Sequence, residues 1–298
     1  MRVTMQTMYG RINNDLGELV NRQARANSDI TSGMIYRLPS DAPVELTHAL
    51  GVRSSINGSS QMLKNIKYAQ GWVKATESAV TGIQDRLLRA KTLAVQGAND
   101  SQSPESRQAI AVEIKAIREE IVALGNTQLG GRYLFGGTRT TGYERGEAPF
   151  VLEDDGRVRY LGNREGLAVE TAPGRSTRMN LDGHSAIMQS GLFDALDTLY
   201  NGLVSNSRPD IDTSIGDIDS SLEWINSQIT VTGSQANTFN QMEAMNDNLK
   251  FTGTERLSDI QDTDIIEAIN ELKASETSYQ AALASSAKVM NLSLADYL

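Results

Sequence analysis

The sequence contains no cysteine and only two histidines, His48 and His184. Without cysteine the chain can form neither disulfides nor thiolate metal sites, and two histidines are too few for a histidine-rich metal centre. Aromatic residues make up 5% of the chain, and there are 6 prolines. This composition is typical of helices packed along narrow seams rather than of a large enzyme core, so we expect no cofactor and no catalytic site.

Excess positive charge is also missing, since the net charge is −9 and the pI is near 4.9. A nucleic-acid binder usually carries a basic surface, and an anionic membrane surface would repel this chain. No apolar run approaches the ~18 residues that a membrane span needs. The first twenty residues lack the apolar segment of a cleavable signal peptide. We therefore expect a cytosolic protein, or one exported without a cleaved signal.

A heptad pattern of apolar residues runs from Met62 to Ala94, and only Thr76 within it is polar. Such a pattern predicts a long helix whose seam packs inside the subunit and which ends near residues 97–99. Ser103-Pro104-Glu105 is typical of a helix start, because serine caps free amides and proline suits the first helical position. Apolar residues then continue at helical spacing over 110–124. These segments predict a helical hairpin.

Helical spacing returns in the second half of the chain. Leucines over 192–203 mark a short helix, and the stripe resumes after Pro209 from Ile211 to Phe239. From Thr254 to Leu298 there is neither glycine nor proline, and the apolar stripe is narrower and richer in alanine. The first thirty residues also carry a single narrow apolar face. For these two terminal stripes we expect contacts with other subunits in an assembly, because one monomer offers them few partners. These expected assembly residues are Met5, Met8, Ile12, Leu16, Leu19, Ile265, Ile269, Leu272, Tyr279, Leu283, Met290, Leu292, Leu294, Tyr297 and Leu298.

The middle of the chain differs, since glycines are frequent and helical spacing vanishes over 136–190. Residues 150–152 and 158–160 flank Asp154, Asp155 and Gly156, which predicts a β-hairpin with these residues at its tip rather than a calcium or acid–base site. Residues 167–171 predict another strand.

The two helical halves each leave an apolar stripe that a lone helix cannot bury. The simplest arrangement is a mainly α fold, an elongated antiparallel helical bundle or coiled-coil rod in which the chain folds back at a small β-rich insert at the distal turn. We predict terminal assembly helices over 1–42 with 255–298, a helical rod over 43–135 with 191–254, and the insert over 136–190. Residues 1–40 hold five arginines against three acids, and residues 254–298 hold eight acids against three bases, which favours pairing of the ends.

Several stretches resemble the flagellin family. Residues 32–43 are similar to its Ser-Gly-rich turn after the first helix, residues 76–79 and 93–100 to its second block, and residues 107–114 and 126–127 to its third. Tyr133-Leu134-Phe135-Gly136-Gly137-Thr138 and the end at 292–298 are similar to motifs of family members that join hook and filament, rather than to filament flagellins.

This resemblance implies a structural protein of the bacterial flagellum at the hook–filament junction. It implies an extracellular protein exported unfolded by the flagellar type III apparatus, with a cytoplasmic export chaperone on the C-terminal helix. Its partners would be further copies in a homo-oligomeric ring, a neighbouring hook-associated protein and flagellin subunits. A filament flagellin or a minor flagellin-like subunit is the alternative. A ligand-binding or enzymatic β insert is a third reading, but the insert shows no convergent set of acids, histidines and nucleophiles.

Overall fold

A computed structural model describes residues 5–38, 40, 42–144, 147–153 and 156–295. The described chain is mainly helical. The helices are α1 Met5–Ser32, α2 Pro43–Ala98, α3 Pro104–Gly125, α4 Gly183–Ala186, α5 Leu192–Val204, α6 Arg208–Gln261 and α7 Ile265–Ala295. The strands are β1 Gln128–Leu129, β2 Arg132–Tyr133, β3 Phe150–Leu152, β4 Val158–Tyr160, β5 Ala168–Ala172 and β6 Arg175–Arg178. No helix among the described residues has the length and apolarity needed to cross a membrane.

The helical hairpin predicted from the first half of the chain is confirmed. Helix α2 ends at Ala98, and the Ser103 hydroxyl caps α3 by accepting a hydrogen bond from the Ser106 amide at 3.2 Å. Two ion pairs, Arg86 with Glu120 and Arg89 with Glu113, join the two helices. The residue number on α2 rises from 86 to 89 while that on α3 falls from 120 to 113, so the two helices run antiparallel.

Helices α2 and α6 also run antiparallel, as the sequence predicts. Gln70 donates a hydrogen bond to Asn240 at 2.9 Å, and Lys91 pairs with Asp219 at 2.6 Å. Between these two contacts α2 advances by 21 residues while α6 goes back by 21. The constant register means that the apolar stripes of the two helices face each other along this whole length.

The chain divides into two compact units. We call the described residues of Met1–Asn57 and Lys250–Leu298 the terminal unit, and Gly58–Leu249 the central unit. One continuous hydrophobic core, reaching from Ile66 to Phe239, lies in the central unit. Its largest fully buried side chains are Trp72, Phe135, Phe150, Phe239, Ile66, Ile83, Leu87, Leu93, Ile114, Ile121, Leu134 and Ile187.

The β-rich region between α3 and α5 consists of three separate two-stranded antiparallel hairpins among the described residues. Strands β3 and β4 pair as predicted, although the tip residues Asp154 and Asp155 lie outside the described residues. Strand β5 pairs with β6 around the Gly174 turn and carries a bulge between Glu170 and Ala172. A short hairpin, β1–β2, precedes residue 136, so the β structure begins at Gln128. Gly130 and Gly131, with φ of 58° and 76°, form the tight turn between its two strands.

The Tyr133–Thr138 motif attaches this region to the core. Leu134 and Phe135 are fully buried. Gly137 has a φ of 71°, and an added Cβ would lie 2.1 Å from Asn163 Oδ1, so only glycine fits there. The Tyr160 hydroxyl donates to the Phe135 carbonyl at 2.7 Å, and burial raises the pKa of Tyr160 far above its ordinary value. The motif therefore serves packing.

Candidate assembly surfaces

The terminal unit brings α1 and α7 together as an antiparallel pair. Backbone hydrogen bonds join the end of α1 to the start of α7. The Thr263 amide donates to the Gly33 carbonyl at 3.0 Å, and Met34 forms an isolated antiparallel β-bridge with Asp262. The half-buried and buried residues follow heptad spacing on both helices. They are Ile12, Leu16, Leu19, Gln23, Ala26 and Ile30 on α1, and Ala268, Leu272, Ser275, Tyr279, Ala282 and Ser286 on α7.

This pairing buries little apolar surface. Among the described residues of the terminal unit, the buried apolar side chains are four alanines: Ala26, Ala42, Ala49 and Ala268. Fully burying a leucine or isoleucine contributes about 1.5–3 kcal/mol, whereas an alanine contributes roughly one methyl group. The terminal unit consequently lacks the large-residue core that stabilises the central unit.

The predicted α7 residues differ in how much of each side chain α1 covers. Leu272 and Tyr279 are half-buried against α1, whereas Ile265, Ile269 and Leu283 remain 53%, 38% and 44% exposed. On α1, the predicted Ile12, Leu16 and Leu19 are all half-buried. Helix α1 therefore covers only part of the apolar stripe of α7, and Ile265 together with Ile269 and Leu283 at the edge of the stripe stays exposed.

Seven of the predicted residues lie partly or wholly outside the described part of the chain. Tyr297 and Leu298 are outside the described residues. Met5, Met8, Met290, Leu292 and Leu294 belong to α1 or α7 by their backbone, but their side chains fall outside the description.

The structure adds exposed apolar residues that the sequence pattern missed. Ile266 is 74% exposed, Phe251 63%, and Val44 64%. Among the described residues, ten exposed large apolar side chains belong to the terminal unit and eight to the longer central unit. Helical spacing alone could not identify them, because an apolar residue off the main stripe looks like ordinary variation. Exposed apolar surface concentrated in one unit is typical of an interaction surface.

A shallow cavity of about 350 Å³ lies beside one of these residues. It is lined by Val44 together with Tyr36, Glu45, His48, Asp259 and Ile260. The described residues hold no group of three or more histidines, cysteines or carboxylates that could bind a metal ion. The cavity has an apolar wall at Val44 and Ile260, and acidic edges at Glu45 and Asp259.

Polar contacts hold the loop between α1 and α2 in place. Gln261 is buried, its carbonyl accepts from the Ile35 amide at 2.8 Å, and its side-chain oxygen accepts from Arg53 at 2.8 Å. Gly33 has a φ of 69°, which favours glycine at the end of α1. The Ser-Gly-rich turn noted in the sequence is thus the connection that positions α1 beside α7.

Charged residues of α1 pair locally. Arg22 contacts Glu18 at 2.7 Å within the helix, and Arg37 contacts Asp29 at 2.8 Å. The Arg22–Glu18 pair is well exposed, with 60% and 65% of the side chains accessible, and such pairs contribute about 0.2–1 kcal/mol. Ion pairs therefore add little to the stability of the terminal unit, and its exposed apolar residues are the main candidates for contacts with other proteins.

Comparison with known proteins identifies the same architecture. Residues 4–140 match the family model described as the bacterial flagellin N-terminal helical region. The flagellar hook-associated protein 3 of Escherichia coli is 24% identical, and the alignment covers 99% of this chain and 98% of that protein. A flagellin of Clostridium tyrobutyricum is 29% identical, but the match covers 36% of this chain and 28% of that protein.

Solved structures share the fold. A putative flagellar hook-associated protein from Vibrio parahaemolyticus has a TM-score of 0.67 at 20% identity, covering 74% of this chain and all of that chain. A flagellar junction protein from Legionella pneumophila has a TM-score of 0.60 at 14% identity, covering 72% of this chain and 99% of that chain.

Proposed function

From the matches to the flagellin N-terminal helical region and to a hook-associated protein, we propose that this chain is a flagellin-family protein and a structural, non-enzymatic subunit of the junction between hook and filament. The extent of the matches supports this role over that of a filament flagellin. The hook-associated relative aligns over 98% of its own length, whereas the flagellins that match align over 28% to 62% of theirs. The protein is part of the extracellular flagellum.

One observation carries the assembly mechanism. The terminal unit buries alanines and leaves larger apolar residues exposed, including Ile265, Ile266 and Ile269 at the start of α7. Two paired helices cannot cover more than one face each, and isolated helices are marginally stable in water. Neighbouring subunits in a ring supply the missing surface, so that the terminal helices become fully stable on assembly.

The same surface has a role before assembly. The chain travels through the flagellar type III apparatus unfolded, and the absence of cysteine avoids disulfides that would block this passage. In the cytoplasm an export chaperone covers α7. Its exposed face, with Ile265, Ile269 and Leu283, presents the kind of apolar stripe that a groove can bind.

A complementation experiment tests the junction role. The chain is expressed in bacteria that lack their own junction subunit, and flagellin released into the medium is measured. We expect the wild-type chain to restore attached filaments. Continued shedding of flagellin by cells that export the chain normally would contradict the proposed function.

Matched variants test the surface separately. Ile266→Asp changes a residue of α7 that is 74% exposed, and Val112→Asp makes the same change at a 66% exposed position of α3. Both purified monomers should remain folded, as measured by circular dichroism. We expect Ile266→Asp to lose attached filaments and Val112→Asp to retain them. Equal loss with both variants would mean that the terminal surface has no special part in assembly.

Seeded polymerisation distinguishes a junction subunit from a filament flagellin. A filament flagellin should extend flagellar fragments into long filaments, while a junction subunit should stop at a short cap. Long filaments of this chain, seen by electron microscopy, would favour the flagellin reading.

A further inference from the structure

Hairpin β5–β6 lies across both long helices of the central unit. On the α2 side, Asn65 Nδ2 donates to the Glu170 carbonyl at 3.0 Å. On the α6 side, Asn246 Nδ2 donates to the Thr171 carbonyl at 3.0 Å. One strand, β5, is thus held by two different helices through two consecutive carbonyls.

The bulge in β5 makes this arrangement possible. Glu170 pairs with Ser176 and Ala172 pairs with Arg175, so Thr171 is the extra residue between them. A bulge disrupts the ladder locally and leaves backbone groups without a strand partner. Here the Thr171 carbonyl receives the Asn246 amide instead, at a position where both residues are almost completely buried.

Further contacts hold the hairpin down at both ends. The Thr177 hydroxyl contacts Met242 Sδ at 3.5 Å and Thr171 Oγ1 at 3.0 Å, which places the inward face of the hairpin on α6. At the base, the Leu167 amide donates to Asn180 Oδ1 at 2.7 Å, and Asn180 is 1% exposed. Hydrogen bonds therefore hold the hairpin at its base, through Asn180, and near its tip, through Asn65 and Asn246.

The hairpin also marks an end of the hydrophobic core. The continuous core reaches Ile66 on α2 and Phe239 on α6, and Met242 packs against it from outside. Asn65 and Asn246 come immediately beyond these residues along their helices, toward the limits of the central unit. Past this level α6 has no buried apolar residue up to its end at Gln261, while α2 still buries Met62 and Leu63.

We propose that hairpin β5–β6 is a strap that keeps α2 and α6 closed at this end of the core, with Asn65 and Asn246 as its two latches. The strap sets where the cooperatively folded central unit ends. This inference is independent of the junction role, because it concerns the isolated monomer.

Hydrogen exchange on the full-length monomer tests the strap. In Asn246→Ala the carbonyls of Thr171 and Met242 lose a buried donor, and in Asn65→Ala the Glu170 carbonyl loses a half-exposed one. We expect amide exchange to rise roughly tenfold or more in three segments, 58–72, 168–178 and 239–249, in both variants. Exchange over 104–125 should be unchanged.

The decisive result is whether a mutation on one long helix increases amide exchange on the other. A change on α2 at Asn65 should loosen α6 over 239–249, and a change on α6 at Asn246 should loosen α2 over 58–72. Asn240→Ala is the matched control, since Asn240 is an exposed asparagine on α6 that bonds Gln70 but not the hairpin. It should leave 168–178 at wild-type exchange rates.

Two outcomes would overturn the proposal. If only 168–178 loosens, the hairpin rests on the helices without holding them. If all central segments loosen equally, the asparagines contribute to global stability and not to a local strap. Should Asn246→Ala fail to fold, the half-exposed Asn65 still gives the reciprocal measurement.

Discussion

The two units of this chain use the same heptad spacing but bury different side chains. The central unit encloses Trp72, Phe135, Phe239 and many branched residues. The terminal unit buries alanines and leaves residues such as Ile266 and Phe251 exposed. In the central unit, ion pairs join α3 to α2 and hairpin β5–β6 bonds to both long helices, whereas α1 and α7 have chiefly each other. The number of neighbours, and not the spacing of apolar residues, decides how much surface a helix buries.

The central unit holds one largely buried charge pair, although other ion pairs there, such as Arg86–Glu120, are exposed. Arg118 of α3 pairs with Asp197 of α5, and their side chains are only 8% and 28% exposed. In the terminal unit the Arg22–Glu18 pair is open to solvent. A charge pair is costly to break only where water cannot replace the lost partner. We therefore expect mutations of similar chemistry to have different consequences in the two units.

The largest expected difference is in amide exchange of the free monomer. Segments 12–30 and 268–286 should exchange roughly a hundredfold or more faster than 66–93, because local opening exposes little apolar surface in the terminal unit. Hydrogen exchange with mass spectrometry measures this directly. Equal protection at both ends and in the middle would remove the physical basis of the proposed assembly mechanism.

Next in size is the response to truncating an isoleucine. Ile83→Ala in the core should destabilise the protein by about 2–5 kcal/mol, since Ile83 is fully buried and a cavity remains. The same change at Ile269, which is 38% exposed, should cost roughly 0.5 kcal/mol or less. Urea unfolding monitored by circular dichroism gives both values. Similar losses at the two positions would show that the terminal unit has a core of its own.

Breaking an ion pair should give a smaller contrast. Asp197→Ala leaves Arg118 buried without this partner and should cost about 2 kcal/mol, a value reduced from that of a fully buried pair because Asp197 is partly exposed. Glu18→Ala should cost roughly 0.5 kcal/mol or less. Added salt should weaken only the Glu18 effect. A strong salt dependence of the Asp197 effect would place that pair in solvent.

The smallest contrast concerns helix caps. Ser103→Ala removes the cap of α3 and should lower global stability by about 1 kcal/mol. Asp264 caps α7 through the Ile266 and Glu267 amides at 2.9 and 3.2 Å. Asp264→Ala should speed exchange at the start of α7 while leaving the thermal transition of the central unit unchanged. A shared loss of melting temperature would mean that the two units unfold together.

The Ser103 variant also has a titration signature. The Ser103 hydroxyl, and then the backbone amide of Glu105, lower the pKa of the Glu105 carboxyl. A carboxyl whose pKa is lowered by folding stabilises the protein at pH values above its ordinary pKa. This stabilisation is lost as the pH falls through the pKa of the folded protein. In Ser103→Ala the pKa of Glu105 should rise toward its ordinary value, which NMR titration of the side chain can follow. An unchanged pKa would mean that the serine does not contact this carboxyl.

Local sequence signals predicted most of the secondary structure. The Ser103-Pro104 start, the heptads of α2 and the β3–β4 hairpin depend on neighbouring residues, so they could be predicted without the fold. The break between α6 and α7 at residues 262–264 has neither glycine nor proline and was missed, although Asp264 is a recognisable capping residue. The bulge at Thr171 gave no sequence signal, because its stabilising partner Asn246 lies 75 residues away.

By itself, the sequence determined that the chain is helical, that it folds back on itself around a β-rich centre, and that it resembles flagellar structural proteins. These properties follow from local spacing and from short motifs. The tertiary structure decided how much of each apolar stripe is covered, since Leu272 and Tyr279 of α7 are half-buried while Ile265 and Ile269 stay exposed. It did so because burial depends on how many elements surround a helix, and that number is a property of the folded chain.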